Sequence, residues 1–581
     1  VSYIDGKLFN IKYKVMKRNI LFLVSLFVFF GVGAQHGGFY AIAFKDKANN
    51  PYSLNHPEGF LSQRAIERRQ KYNIPLDETD LPVTPQYVNE LRSLGAQVYY
   101  TTKWFNAAVV FLPDTQLVQQ ILSKPFVASV KFLKPEIPSK NKKRKGTQDI
   151  QLNKWWSQVL EANLIANEDK KIRTFFDYGQ AYNQNSIIAV DYLHSLGFTG
   201  KGMVIAVLDA GFFKVDSLSV FDSLRNSGRL LGTKDFVLPG GNVFERSTHG
   251  MAVLSLMAAN VQGKLVGTAP HASYWLLRSE DANSEYLIEE YNWAAAAEFA
   301  DSVGADVINS SLGYTRFDDS TQDHSYTDMD GKTTIVSRAA TMAARKGILV
   351  VNAAGNSGND SWHYIGAPAD ADSIISVGAV DPNGIIAYFS SRGPTFDGRI
   401  KPTVCAQGHM DAVITPTDEV EYGSGTSFAS PVMAGAVTCL WQAFPSVNNI
   451  GIIDAVKKSA HKYTSPDNDY GYGIPNLAIS SLILGGNEFS YPEDKLSAFV
   501  YPNPFDDEIN LIVYSNKRTD LDFEIYNMQG KLMASGKLRA VVGYNYYYLP
   551  LDDFKKLKKS GVYILKLWDP YRATEVKLIK K

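Results

Sequence analysis

Apolar runs without alternation constrain this chain more than any other feature. Met203-Val204-Ile205-Ala206-Val207-Leu208 is the clearest. Asp306-Val307-Ile308-Asn309 and Gly347-Ile348-Leu349-Val350-Val351 are of the same kind. A strand with one wet face alternates apolar and polar residues. A continuous apolar run is buried on both faces, as in a parallel sheet covered by helices. Helix-like segments separate these runs, so βαβ units and an α/β domain are expected. Such sheets gather ligands and chemistry at the C-terminal ends of their strands. The residues just past each run therefore matter: Asp209-Ala210-Gly211, Ser310-Ser311-Leu312-Gly313 and Ala353-Ala354-Gly355-Asn356.

Two buried helices are also legible. Met251 to Ala259 is apolar nearly all round and is opened by His249-Gly250. The other begins in Gly425-Thr426-Ser427-Phe428-Ala429-Ser430-Pro431 and stays small and apolar to Leu440, with Ser427 at its start. A helix N-terminus offers unpaired N–H groups and partial positive charge, which suits a hydroxyl near developing negative charge. Pro431 is expected in the first turn, where a missing N–H costs no helical bond. Taken singly, each residue has an ordinary explanation: a turn-forming Asp, a core His, a capping Ser, an Asn after Gly.

As a set they resemble the subtilisin-like serine proteases. The heptapeptide resembles that family's nucleophile motif. The order Asp209, His249, Ser427 is the family's order and differs from those of chymotrypsin and the α/β-hydrolases. The resemblance implies a subtilisin-like parallel sheet flanked by helices, in a catalytic domain over residues 175–482 that closes near Tyr470 to Asn476. It implies a serine endopeptidase acting through an acyl-enzyme: Ser427 as nucleophile, His249 as base, Asp209 as orienting acid and Asn356 as oxyanion donor. Ser311, Leu312 and Gly313 are expected to pair with the substrate backbone, with Ala354 and Gly355 also on the substrate side. Two positions depart from the family pattern: Ala210 where a hydroxyl residue usually follows the acid, and Met251 where Thr usually follows His-Gly. They leave room for one rival, a non-catalytic surface-binding protein on a retired protease scaffold. An α/β-hydrolase is excluded, because Ser427 lacks the Gly-x-Ser-x-Gly setting and only His461 follows it.

The flanks suggest export. Met16-Lys17-Arg18-Asn19, the apolar core Ile20 to Phe30 and the exit Val32-Gly33-Ala34 have the form of a secretory signal peptide over residues 16–34. Residues 36–150 alternate β and α patterns and resemble the family's inhibitory propeptide, a small α+β domain that serves as folding template and plug. Within it, Leu61 to Arg69 reads as a solvated amphipathic helix, and Lys140-Asn141-Lys142-Lys143-Arg144-Lys145 as a linker or processing site. Residues 498–581 break into short, regularly spaced strands, which suggests a C-terminal β-sandwich. The opening Tyr501-Pro502-Asn503-Pro504 resembles a type IX secretion sorting domain, implying outer-membrane secretion machinery as a partner and a secreted or surface-attached product.

Acidic and basic residues balance at 59 each, so no global field points to nucleic acid. The expected partners are polypeptide substrates and the chain's own propeptide. No cofactor is expected. Structural calcium is an option that the resemblance carries, with Asp318-Asp319 and Asp370 to Asp372 as candidate ligands. Cys405 and Cys439 either pair or stay free. Cleavage preference is expected to be broad, with a bias to apolar residues.

Overall fold

The computed structural model describes residues 37–136, 176–485 and, with short gaps, 496–580. The expected signal peptide and the basic run at Lys140 lie outside the described residues. Among the described residues, no helix is long and apolar enough to cross a membrane.

Seven parallel strands form the central sheet, in the order Val404–Gln407, Ile375–Val380, Leu349–Ala353, Val307–Ser310, Val204–Asp209, Ser273–Arg278, Leu230–Asp235. The four adjacent inner strands Ile375–Val380, Leu349–Ala353, Val307–Ser310 and Val204–Asp209 are buried at every position, as unbroken apolar runs require. One face packs on the helices His249–Ala258 and Thr426–Ala443, the other on Ile288–Val303 and Ile335–Arg345. The chain moves outward one way from Val204–Asp209, then returns to its other side at Val307–Ser310. Strand direction of travel thus switches beside Asp209, which opens a crevice at the strands' C-terminal ends.

Residues 37–136 form a four-stranded antiparallel sheet in the order Gln97–Thr102, Ala107–Leu112, Gly38–Phe44, Val127–Pro135. Helices Pro85–Ser93 and Leu117–Leu122 cover one face. From the other face Ala41, Trp104, Val109 and Leu133 enter the core beneath helices Ile288–Val303 and Ile335–Arg345.

The helix Gln63–Lys71 corrects the expectation of a solvated surface. It is amphipathic, but Arg68 and Arg69 are only 5% and 3% exposed. Both reach the buried Asp301 carboxylate: Arg68 at 2.6 Å, Arg69 at 3.0 Å. Lys103 joins at 3.3 Å, and Arg69 also pairs with Asp80 at 2.6 Å. The charges lie inside because their partners do, and Asp301 and Arg68 are far apart in sequence. Next to them Glu298 accepts the backbone N–H groups of Lys103 and Trp104 at 2.7 and 3.0 Å.

The C-terminal region forms two antiparallel sheets. Three strands (Ser497–Tyr501, Glu508–Ser515, Gly543–Pro550) face four (Leu532–Ala540, Thr519–Asn527, Gly561–Trp568, Ala573–Lys580) around Leu511, Phe523, Ile525 and Leu565. Sequence reading overlooked the strand Leu532–Ala540, whose mid-point is a glycine, a residue that weakens a strand pattern. The Phe523 ring lies 2.6 Å from where a Cβ of residue 536 would stand, so Gly536 gives this ring its space.

Candidate active site

Asp209 ends its strand with no exposed surface, and its Oδ1 accepts the Ala210 N–H at 2.7 Å. His249 opens its helix and places Nδ1 at 2.9 and 3.0 Å from the two Asp209 oxygens. The two meet because Gly250 lets the helix start against the strand. A Cβ there would stand 2.3 Å from the Gly211 carbonyl oxygen and 2.9 Å from the Asp209 Cβ. Committing Nδ1–H to the carboxylate leaves Nε2 as the proton acceptor. Burial opposes a charged imidazole, but the Asp209 charge and hydrogen bond outweigh it, so the His249 pKa is held above its ordinary 6.5.

Ser427 is the second residue of the helix Thr426–Ala443. The His249 ring lies over that of the next residue, Phe428, with 6.3 Å between centroids. The Ser427 hydroxyl donates to the Ser311 carbonyl at 3.4 Å, a long bond, and is not hydrogen-bonded to His249. Pro431 is the sixth helical residue, past the first turn where it was expected. Lacking an N–H, it cannot bond the Ser427 carbonyl four residues back. That carbonyl instead accepts from the Ser311 hydroxyl at 2.8 Å. The helix is tied again where Ser430 donates to Asn309 Oδ1 at 2.9 Å.

Asn356 approaches from the third strand. Its Oδ1 accepts from the Thr426 N–H at 2.9 Å and from the Thr426 hydroxyl at 3.0 Å. A backbone N–H can only donate, so this bond fixes which amide atom is oxygen and turns Nδ2 away from Thr426. The Gly355 N–H in turn donates to the Thr426 hydroxyl at 3.1 Å. Ala354 is buried, and its N–H bonds the Val377 carbonyl at 3.0 Å. Ser311 and Leu312 are buried while Gly313 is exposed, and Asn352 Nδ2 supports the Leu312 carbonyl at 3.1 Å.

The two departing side chains, both apolar, are buried. Ala210 is buried, and its carbonyl accepts from Arg278 Nε at 3.1 Å. Met251 has no exposed surface and belongs to the same core as Phe212 and Phe428. Asp209 and His249 keep their bond to each other despite both changes.

Among the described residues, no group of three or more His, Cys, Asp or Glu side chains is arranged to hold a metal ion. The aspartates considered for calcium accept backbone N–H groups instead: Asp319 from Thr321 at 3.0 Å and Asp372 from Ser373 at 2.9 Å in local turns, Asp318 from Glu285 at 3.1 Å and the buried Asp370 from Gly331 at 2.7 Å across the fold. Cys405 and Cys439 are both buried and free.

Residues 200–473 match the model of the subtilase family. Subtilisin E of Bacillus subtilis (strain 168) is 31% identical over 300 residues, 51% of this chain and 70% of that protein. The chain belongs to the subtilase family. A thermophilic serine proteinase of Bacillus sp. (strain AK1) is likewise 31% identical, over 55% of this chain and 71% of its own. The solved self-cleaved protease domain of PatA is 22% identical, with a TM-score of 0.40, over 50% of this chain and all of that one. Residues 39–149 match a Bacteroidota propeptide domain of the same peptidase class, and residues 499–581 a secretion system C-terminal sorting domain. This subtilase is a serine-type endopeptidase carrying a propeptide domain and a sorting domain.

Two neighbours of the site escaped sequence reading. Thr426 lies inside the quoted heptapeptide, but its grip on Asn356 spans seventy residues of chain and has no local signal. Glu280 lies two residues past the strand Ser273–Arg278. Only the register of that strand, which sets Arg278 opposite Asp209, brings it to the site. Burial, then the neighbouring Asp209 charge, pushes the Glu280 pKa up to about 7.

Proposed function

We propose that this subtilase cleaves peptide bonds through an acyl-enzyme formed on Ser427. The bond from His249 Nδ1 to Asp209, beside the first turn of the Ser427 helix, carries this reading. Substrate entry displaces the Ser427 hydroxyl from Ser311 towards His249, which takes its proton as Oγ attacks the carbonyl. Asp209 holds the imidazole tautomer and stabilises its charged form. Asn356 Nδ2 and the Ser427 N–H receive the oxyanion, and a side-chain donor of this kind is worth about 10²–10³ in turnover. His249 then protonates the leaving amine, and water clears the acyl group. Ser311, Leu312 and Gly313 pair with the substrate backbone, an interaction that tolerates many sequences, and Ala354 and Gly355 also lie on the substrate side. The chemistry needs no cofactor.

The direct test is a fluorophosphonate probe with casein as substrate. Stoichiometric labelling at Ser427 and casein hydrolysis are expected together, and a folded protein that neither labels nor cleaves would favour the retired-scaffold alternative. The pH profile is a second test. The base must be neutral, so activity is lost as pH falls through the His249 pKa. Because Asp209 raises that value, the acidic limb of kcat/KM should have its midpoint above 6.5. A midpoint below 6.5 would contradict the pairing.

In this reading the N-terminal domain templates and covers the catalytic domain until it is cleaved away, and the C-terminal domain directs export to the surface or medium through outer-membrane machinery. A signal peptide at residues 16–34 would supply the first export step.

A further inference from the structure

Beside the Asp209–His249 pair lies a group of buried acids that this mechanism does not use. Glu280 is 4% exposed, and the preceding Ser279 N–H bonds the Asp209 carbonyl at 3.0 Å. Glu289, in the first turn of the helix Ile288–Val303, is 1% exposed. Its Oε1 accepts the Asp281 N–H at 3.1 Å, while its Oε2 has no hydrogen-bond partner. Glu285 Oε1 is also buried without a donor, and the Glu285 carboxyl is within hydrogen-bonding reach of that of Glu289. Tyr314 follows Ser311-Leu312-Gly313 directly, and its fully buried hydroxyl is also unpartnered. Burial, then the nearby carboxyls, raises the Tyr314 pKa well above its usual value.

Buried carboxyls with too few donors are costly, and natural proteins rarely leave them so. They must hold protons or await a cation. A divalent metal does not suit them, since no metal-holding arrangement of three such groups exists among the described residues. A cationic side chain already sits at the mouth. Lys134, from the last strand of the N-terminal domain, places Nζ 3.2 Å from Asp281 Oδ2 and 2.8 Å from the Ser284 hydroxyl. The preceding residue is held too: the Leu133 carbonyl accepts from Gln322 Nε2 at 3.1 Å. The N-terminal domain thus covers this corner of the crevice with an extended strand and a lysine.

We infer that Glu280, Glu285 and Glu289, with Asp281 at the entrance, form a substrate subsite for a lysine or arginine side chain close to the scissile bond, and that Lys134 occupies its mouth while the N-terminal domain is in place. This deepens the endopeptidase reading and rests on it. It replaces the expected apolar bias with a basic one, and makes the chain's own run Lys140 to Lys145 a candidate substrate by composition.

The test uses the product secreted from cells expressing the full chain. Paired fluorogenic peptides differ only in lysine against norleucine at the two positions before the cleaved bond. A charge-assisted contact in such a site predicts a lysine preference in kcat/KM of about 10- to 100-fold. The preference should fall towards unity in Glu280→Gln and in Glu289→Gln. Fluorophosphonate labelling of Ser427 should persist in both variants. Equal or faster cleavage of the norleucine peptide by a wild-type protein that labels with fluorophosphonate overturns the subsite and spares the endopeptidase reading. A preference unchanged in both labelling-competent variants overturns the assignment to these glutamates. Absence of labelling in the wild type overturns the reading beneath, and the subsite falls with it. Should a variant fail to fold, the wild-type ratio decides alone.

Discussion

Ser427→Ala is expected to lower kcat/KM by about 10⁶-fold, the size of loss seen when a serine nucleophile that acts as one unit with its base and acid is removed. The change deletes one hydroxyl from a half-buried position at the start of a helix. That hydroxyl makes a single long bond, to the Ser311 carbonyl. The Ser427 carbonyl keeps its bond from Ser311, and Thr426 keeps its grip on Asn356. Stability should therefore move by less than about 0.5 kcal/mol, as for substitutions that disturb no packing or buried network. The residual rate should exceed that of water by about 10³–10⁴, from the oxyanion donors and substrate binding alone. Casein and peptide assays on the purified variant, beside its melting curve, measure both quantities. Substantial hydrolysis by a folded Ser427→Ala protein would remove Ser427 from the chemistry.

Asp301→Ala should have the largest effect on stability. It strands Arg68, Arg69 and Lys103, each under a tenth exposed, around an empty centre. Losing one partner of a buried ion cluster costs about 3–5 kcal/mol, because the remaining charges stay desolvated without compensation. Desolvation acts to raise the Asp301 pKa, but the three cations outweigh it and hold the group well below the carboxylate range. Its contribution is therefore present above the unfolded-state carboxylate pKa and is lost only as pH falls through the depressed folded value. The measurement is a urea transition in the Ser427→Ala background, where self-digestion does not interfere, at pH 7. The loss should fall on the joint between the N-terminal domain and the helix Ile288–Val303. Replacing Asp301, Arg68 and Arg69 together by apolar residues of similar volume should recover much of it. A single-variant shift below about 1 kcal/mol would show that the cluster is already solvated.

Periodicity and local chemistry made much of this protein legible without coordinates. Unbroken apolar runs pointed to strands buried on both faces, and the segments at Met251 and Phe428 to buried helices. Asp209, His249, Asn356 and Ser427 lie at the ends of such elements, but they stood out as candidates only as a set, through the resemblance to the subtilisin-like proteases. The helix Gln63–Lys71 shows where that reasoning ends. Its residues look like those of any wet amphipathic helix, and nothing nearby in sequence reveals Asp301. Pro431 teaches the same lesson at shorter range. Its residue type restricts where it can sit, but the start of the helix at Thr426 decided which carbonyl it frees, and the fold supplied the Ser311 hydroxyl that takes it.

The sequence, with the family resemblance supplying the candidate reactive residues, determined the types of the main buried elements and the parallel-sheet class. These depend on residues within one or two turns of each other, where burial pattern and backbone preference act directly. The tertiary structure alone decided that Thr426 orients Asn356, that Glu280 stands beside Asp209, that buried carboxyls gather near Tyr314, and that Lys134 reaches their edge. Each of these depends on strand register or on the docking of one domain against another. Such long-range geometry is set by how whole faces pack, and no local pattern of residues encodes it.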